Sequence, residues 1–136
     1  KKRAVILTNR NWKTFIDHSS EAFKYKNILW VSGDDQNTNN LPFKVTDQIL
    51  IPRVDSWKFY DQLKNYWKQI PENWVVLISL GPTARILTKE WFENRPDLTI
   101  IDIGSNFDPF TRNVRHKCHI GWENGFNIQT RCKGCN

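Results

Sequence analysis

The chain of 136 residues contains no methionine, only three cysteines and only six glycines. With no initiator methionine, the expectation is that the sequence is a piece of a longer protein with other domains. Three thiols cannot all pair within one chain and no Asn-x-Ser/Thr sequon occurs, so nothing points to secretion; a reducing, cytoplasmic setting is expected. No run approaches the ~20 consecutive apolar residues of a membrane-spanning helix, and the N-terminus lacks a signal-peptide apolar segment. Acidic charge is also short: fourteen Asp and Glu face twenty Lys and Arg, a formal net charge of +6. The basic residues concentrate at Lys1, Lys2, Arg3, Arg10 and Lys13 and again at Arg112, Arg115, Lys117, Arg131 and Lys133. Such a balance suits an anionic partner, whether nucleic acid, nucleotide-sugar or an anionic membrane surface, and equally an ordinary solvated surface.

The 39% hydrophobic and 13% aromatic content is enough for one compact core. Five short runs rich in Val, Ile and Leu stand out, each bounded by turn residues: AVILT (4–8), NILWV (27–31), QILIP (48–52), WVVLISL (74–80) and LTIIDIG (98–104). They read as buried strands. Between the first two, Trp12, Phe15, Ile16, Ser19 and Phe23 recur at helical spacing, and Tyr60, Leu63, Trp67 and Ile70 do so between the third and fourth. Ala84, Leu87 and Trp91 mark a third amphipathic helix, which Asn94-Arg95-Pro96-Asp97 ends. Strands alternating with helices predict an α/β, Rossmann-like, three-layer domain over residues 1–112, with a mainly parallel five-stranded sheet. Residues 113–136 form an irregular Cys/His-containing tail expected to pack on it.

In an open parallel sheet, ligands bind beyond the carboxyl ends of the strands. There Gly81 lets the backbone turn close to a ligand, Pro82 suits a first helical position, and Thr83 sets a hydroxyl beside unpaired N–H groups. The combination suits a phosphate, and equally plain helix punctuation. The next strand ends in Asp102, Gly104, Ser105 and Asp108. Carboxylates at that edge suit sugar hydroxyls, a divalent ion or a general base, and equally a structural cap or a turn.

The segments LISLGPTARIL and IIDIGSNFDPF, in that order and with a helical spacer, resemble the C-terminal half of the GT-D-type glycosyltransferases, as does QILIPRVDSWKFYDQL (48–63) ahead of them. The likeness covers roughly residues 45–110. It implies transfer of a sugar from a nucleotide-sugar donor to a glycan or glycoprotein hydroxyl. Gly81, Pro82 and Thr83 would then lie beside the donor, with Asp102, Gly104 and Ser105 shaping its pocket. The family's acidic Asp-x-Glu pair, linked to metal and nucleotide, has no full counterpart after Gly104, where Asp108 is the acid left to act in catalysis. Mg or Mn is the ion expected with the donor, and Arg112 and Arg115 are candidates to offset charge on the departing diphosphate. The rival expectation is a non-catalytic zinc-containing module that contacts nucleic acid or nucleotide; nucleic acid is disfavoured because helix faces and core account for most aromatics.

In the tail, Cys132-x-x-Cys135 has the spacing of a zinc knuckle, and Cys118 with His119 or His116 would complete four ligands. Free thiols or a Cys132–Cys135 disulfide are the alternatives. A structural zinc would hold this loop-rich tail through thiolates, so acid or chelation would release it. Elemental analysis of the purified protein should find one zinc per chain; a metal-free protein whose three thiols all react under native conditions would remove the site.

Overall fold

A computed structural model describes residues 12–112. Their elements run α1 (Trp12–Phe23), β1 (Ile28–Gly33), β2 (Asp47–Ile51), α2 (Tyr60–Leu63), β3 (Val75–Ser79), α3 (Pro82–Asn94), β4 (Thr99–Asp102) and α4 (Asp108–Thr111). Four of the five expected strands are present, all parallel, in the order β2-β1-β3-β4. The fifth, at residues 4–8, lies outside the described residues.

Alternation along the strands creates the layers, because successive side chains point to opposite faces. Leu29, Val31, Val76 and Ile78 face Leu87 and Trp91 of α3 and Leu63 of α2. Ile28, Trp30, Val75 and Leu77 face Phe23 of α1, with Phe43, Ile103 and Phe107 completing that side. Both faces of the sheet are therefore covered. Every residue of β1 is buried, as a central strand demands, whereas β2, at an edge, exposes most of its residues. Helix α1 is fixed to the far loop by Trp12, whose indole N–H donates to the Asn106 carbonyl at 2.7 Å.

One expected element takes another form. The helical spacing of Tyr60, Leu63, Trp67 and Ile70 suggests one helix, yet α2 ends at Leu63 and a separate 3₁₀ turn covers Tyr66–Gln69. Two features end the second segment. Ile70 precedes Pro71 and is pushed to an extended conformation. The Arg95 guanidinium, meanwhile, donates to the Trp67 and Ile70 carbonyls at 2.9 and 2.7 Å, a tertiary cap on the end of the turn.

Core packing sets the stability of this frame. Leu87 is fully buried while its neighbour Ile86 is 53% exposed. Leu87→Ala should lower unfolding free energy by about 3 kcal/mol in urea titration, and Ile86→Ala by less than about 0.5 kcal/mol. Equal losses would mean that α3 is packed on a different face.

Candidate functional site

The strand order reverses direction at one place: the chain passes from β1 to β2 on one side, then returns to β3 on the other. Such a switch point leaves a crevice at the carboxyl ends of the two central strands. A cleft of about 430 Å³ lies there. The loop after β1 contributes Gly33, Asp35 and Gln36; the segment after β2 contributes Arg53, Asp55, Ser56 and Trp57. The β3–α3 junction supplies Ser79 to Thr83, and the segment after β4 supplies Gly104, Ser105, Asp108 and Arg112.

Hydrogen bonds join these segments. Gln36 Nε2 donates to Ser79 Oγ at 3.0 Å, and Ser79 Oγ donates to the Gly104 carbonyl at 2.8 Å. Thr83 is buried, and its hydroxyl stands 3.1 Å from Ser56 Oγ, which in turn donates to the Leu80 carbonyl at 3.4 Å. Gly81 precedes Pro82 with φ 56° and ψ −135°, a backbone conformation that a side chain would strain. A Cβ there would meet no atom within 4 Å, so the conformation rather than crowding calls for glycine. Crowding decides at Gly33, where a Cβ would come within 2.7 Å of Asp35 Oδ1 and 3.0 Å of Arg53 Cβ.

The charged wall is a network. Asp35 Oδ2 accepts from Arg53 Nη1 at 2.7 Å and stands 2.8 Å from Arg112 Nε, while Arg112 Nη1 donates to Asp108 Oδ2 at 3.1 Å. Burial pushes the Asp35 carboxyl up, but hydrogen bonds and charge from Arg53 and Arg112 outweigh it, and the net direction is down. Asp102 behaves in the opposite way: burial raises it, against the Gly104 N–H and the charge of Arg85.

Of the residues singled out in the sequence, Gly81, Pro82, Thr83, Gly104, Ser105 and Asp108 come together on this cleft. Asp102 is not among its lining; its Oδ1 accepts from the Gly104 N–H at 3.1 Å and so shapes the loop from behind. Asp108 is only 5% exposed and held by Arg112, an arrangement that suits fixing a cation better than taking a proton from a substrate. The preceding residue, Phe107, packs in the core and fixes the start of α4. Arg115, Cys118, His116, His119, Cys132 and Cys135 lie outside the described residues.

Asp35, Gln36, Arg53, Ser56 and Trp57 were not singled out. The available signal was positional, since Gly33-Asp34-Asp35-Gln36 and Arg53 to Trp57 each follow a strand at the same edge.

A profile of the family described as "Glycosyltransferase GT-D fold" matches residues 3–126. The chain belongs to that family. A search of curated proteins found no match. A solved structure described by the words "the highly conserved domain of unknown function 1792 has a distinct glycosyltransferase fold" superposes on the GT-D chain with a TM-score of 0.60 at 19% identity. The alignment covers 88% of this chain and 48% of that one, so this chain spans about half the length of its structural neighbour. The match supports a glycosyltransferase fold for the GT-D chain, with its cleft where parallel sheets bind ligands.

Among the described residues of the GT-D chain, no three His, Cys, Asp or Glu side chains stand together as a metal site. Of the cleft carboxylates, Asp35 and Asp108 are each engaged by arginine and Asp55 by Lys58. The described donor set therefore does not of itself fit a divalent ion, and no chemical step is assigned to one. Among the same residues, no helix is long and apolar enough to cross a membrane.

The direction of the Asp35 shift carries a sign for stability. A carboxyl lowered in the folded state stabilises the fold above its ordinary value of 3.8, and that contribution is lost as pH falls through the lower folded value. Asp35→Asn should therefore unfold more easily than the parent at neutral pH, with the difference closing below pH 3.8. Denaturant midpoints across pH check this; a constant difference would show that charge is not the cause.

Proposed function

We propose that the GT-D chain is the donor-binding part of a glycosyltransferase that takes a sugar from a nucleotide-sugar and passes it to a hydroxyl of a glycan or glycoprotein. The supporting observation is the meeting of the Gly81–Thr83 junction and the Gly104–Arg112 segment on one cleft at the switch point. The donor diphosphate would sit over the start of α3, where Gly81 permits close approach and the positive end of a 13-residue helix dipole lies.

In the transfer, the acceptor oxygen bonds to the anomeric carbon as the bond from that carbon to the diphosphate oxygen breaks, and the acceptor hydroxyl's proton passes to water or to the departing diphosphate. Negative charge grows on the departing diphosphate, and groups already aimed at it lower the barrier. Arg112 is suited to this because Asp35 and Asp108 hold it from two directions. Arg53, on the exposed side of Asp35, is the second cation, and Arg115 is proposed for the same purpose. Asp108 acts by orienting Arg112, Asp102 by holding Gly104, and Ser105 offers a hydroxyl at the rim. The acceptor, Mg or Mn with the donor, a structural zinc in the tail, and further domains of the parent chain remain part of this reading. A nucleic-acid module is less favoured, since the family match is to a glycosyltransferase fold and Trp12, Trp30, Trp91 and Phe107 are spent on the core, with Trp57 the one exposed aromatic among the described residues lining the cleft.

Thermal-shift and calorimetric titration against a panel of nucleoside diphosphates, with and without Mn²⁺, tests the proposal. One nucleotide should raise Tm progressively with its concentration, by the equivalent of about 2.7 kcal/mol at a hundredfold excess over Kd. Gly81→Ala should weaken that binding as well as costing about 1–3 kcal/mol of backbone strain. Salt-sensitive binding to oligonucleotides, with no response to any nucleotide, would overturn it.

A further inference from the structure

Trp57 is 66% exposed, an unusual state for the largest apolar side chain in a protein that buries Trp12, Trp30 and Trp91. It lines the cleft. The backbone shows that this display is built. Asp55 adopts φ 59°, a left-handed conformation uncommon for any residue but glycine, and launches the 3₁₀ turn Ser56–Phe59. Ser56 ties the turn to the start of α3 through Thr83 Oγ1 at 3.1 Å, and Asp55 Oδ2 accepts from Lys58 Nζ at 2.8 Å. Lys58 Nζ also lies 5.8 Å from the centre of the Trp57 ring, over one face. The indole is thus held at the lip by a turn anchored to the junction proposed for the diphosphate.

We infer that Trp57 is the stacking platform for the nucleobase of the donor. The inference rests on the donor-binding reading above and deepens it. In a nucleoside diphosphate the base is separated from the phosphates by one ribose. Trp57 follows Ser56, which contacts Thr83, so a ribose bridges the interval between the α3 start and the indole. The two walls of the cleft differ in the required sense. Trp57 and Pro82 make an apolar side, while Arg53, Asp35, Arg112 and Asp108 make a charged one. A planar base fits the first, and the leaving diphosphate and sugar fit the reach between the two. Stacking on a side chain that is already in place forfeits little conformational freedom, and it tolerates any base because each has a π-face. Discrimination among bases therefore falls to groups other than the indole.

Calorimetry with ADP, GDP, UDP and inorganic pyrophosphate on the parent, Trp57→Ala and Trp57→Phe separates the possibilities. Trp57→Ala should weaken the best nucleoside diphosphate about tenfold, equivalent to about 1.4 kcal/mol. It should leave pyrophosphate unchanged, and Trp57→Phe should retain affinity within about threefold of the parent. Trp57 is exposed, so unchanged thermal unfolding of both variants is expected. Equal nucleotide affinity in parent and Trp57→Ala overturns the inference while sparing the donor-binding reading. A parallel loss of pyrophosphate overturns it too, since the indole would then support the phosphate seat. A parent that binds neither nucleotide nor pyrophosphate overturns the donor-binding reading itself.

Discussion

The Asp35 carboxylate, gripped by Arg53 on one side and Arg112 on the other, is the interaction on which the arrangement of the cleft depends. It joins three segments distant in sequence: the loop after β1, the residue pair following β2, and the turn that closes α4. Gly33 makes the grip possible, because any Cβ there would collide with the Asp35 carboxylate and crowd Arg53. A second link runs beside it, from Gln36 through Ser79 to the Gly104 carbonyl, and spans the two central strands and the last one. Parallel strands leave their carboxyl ends unjoined to one another, so polar ties of this kind hold the loops in a common site.

Much of the frame was legible in residue order. Val75 to Leu80 read as a strand because β-branched and apolar residues packed on both faces leave a nearly continuous apolar run, and Leu98 to Ile103 because its isoleucines are bounded by turn residues. Gly81-Pro82 announced α3 correctly, since a proline tolerated at a helix start and a glycine just before it mark that boundary. The division of that stretch into α2 and a separate 3₁₀ turn was not legible, because the turn's end is capped by Arg95, far downstream, acting on carbonyls that no local pattern reveals. The site divides along the same line. Gly81 to Thr83 announce themselves by backbone chemistry, whereas Asp35, Arg53 and Trp57 become a site only when the order β2-β1-β3-β4 sets their loops side by side. Asp102 and Asp108 look equivalent as carboxylates after one strand, yet one turns back on Gly104 and the other is buried against Arg112.

The electrostatics of the cleft follow from pairing more than from net charge. The protein carries +6 overall, but the charged wall balances Arg53 and Arg112 against Asp35 and Asp108. On the donor-binding reading, an arriving diphosphate meets a neutral network and must compete for its cations. The two arginines differ in how readily they yield. Arg53 pairs with Asp35 at an exposed position, its own side chain 51% accessible, where an ion pair contributes little and exchanges partners at small cost. Arg112 is 18% accessible and bonded to two carboxylates, so its orientation is set before any ligand arrives. Preorganised charge is what favours a transition state over a ground state, because nothing then has to reorient as the charge develops. On the same reading, the division of labour that follows is an exposed arginine that admits the phosphates and a preset one that faces the charge left behind when the sugar departs.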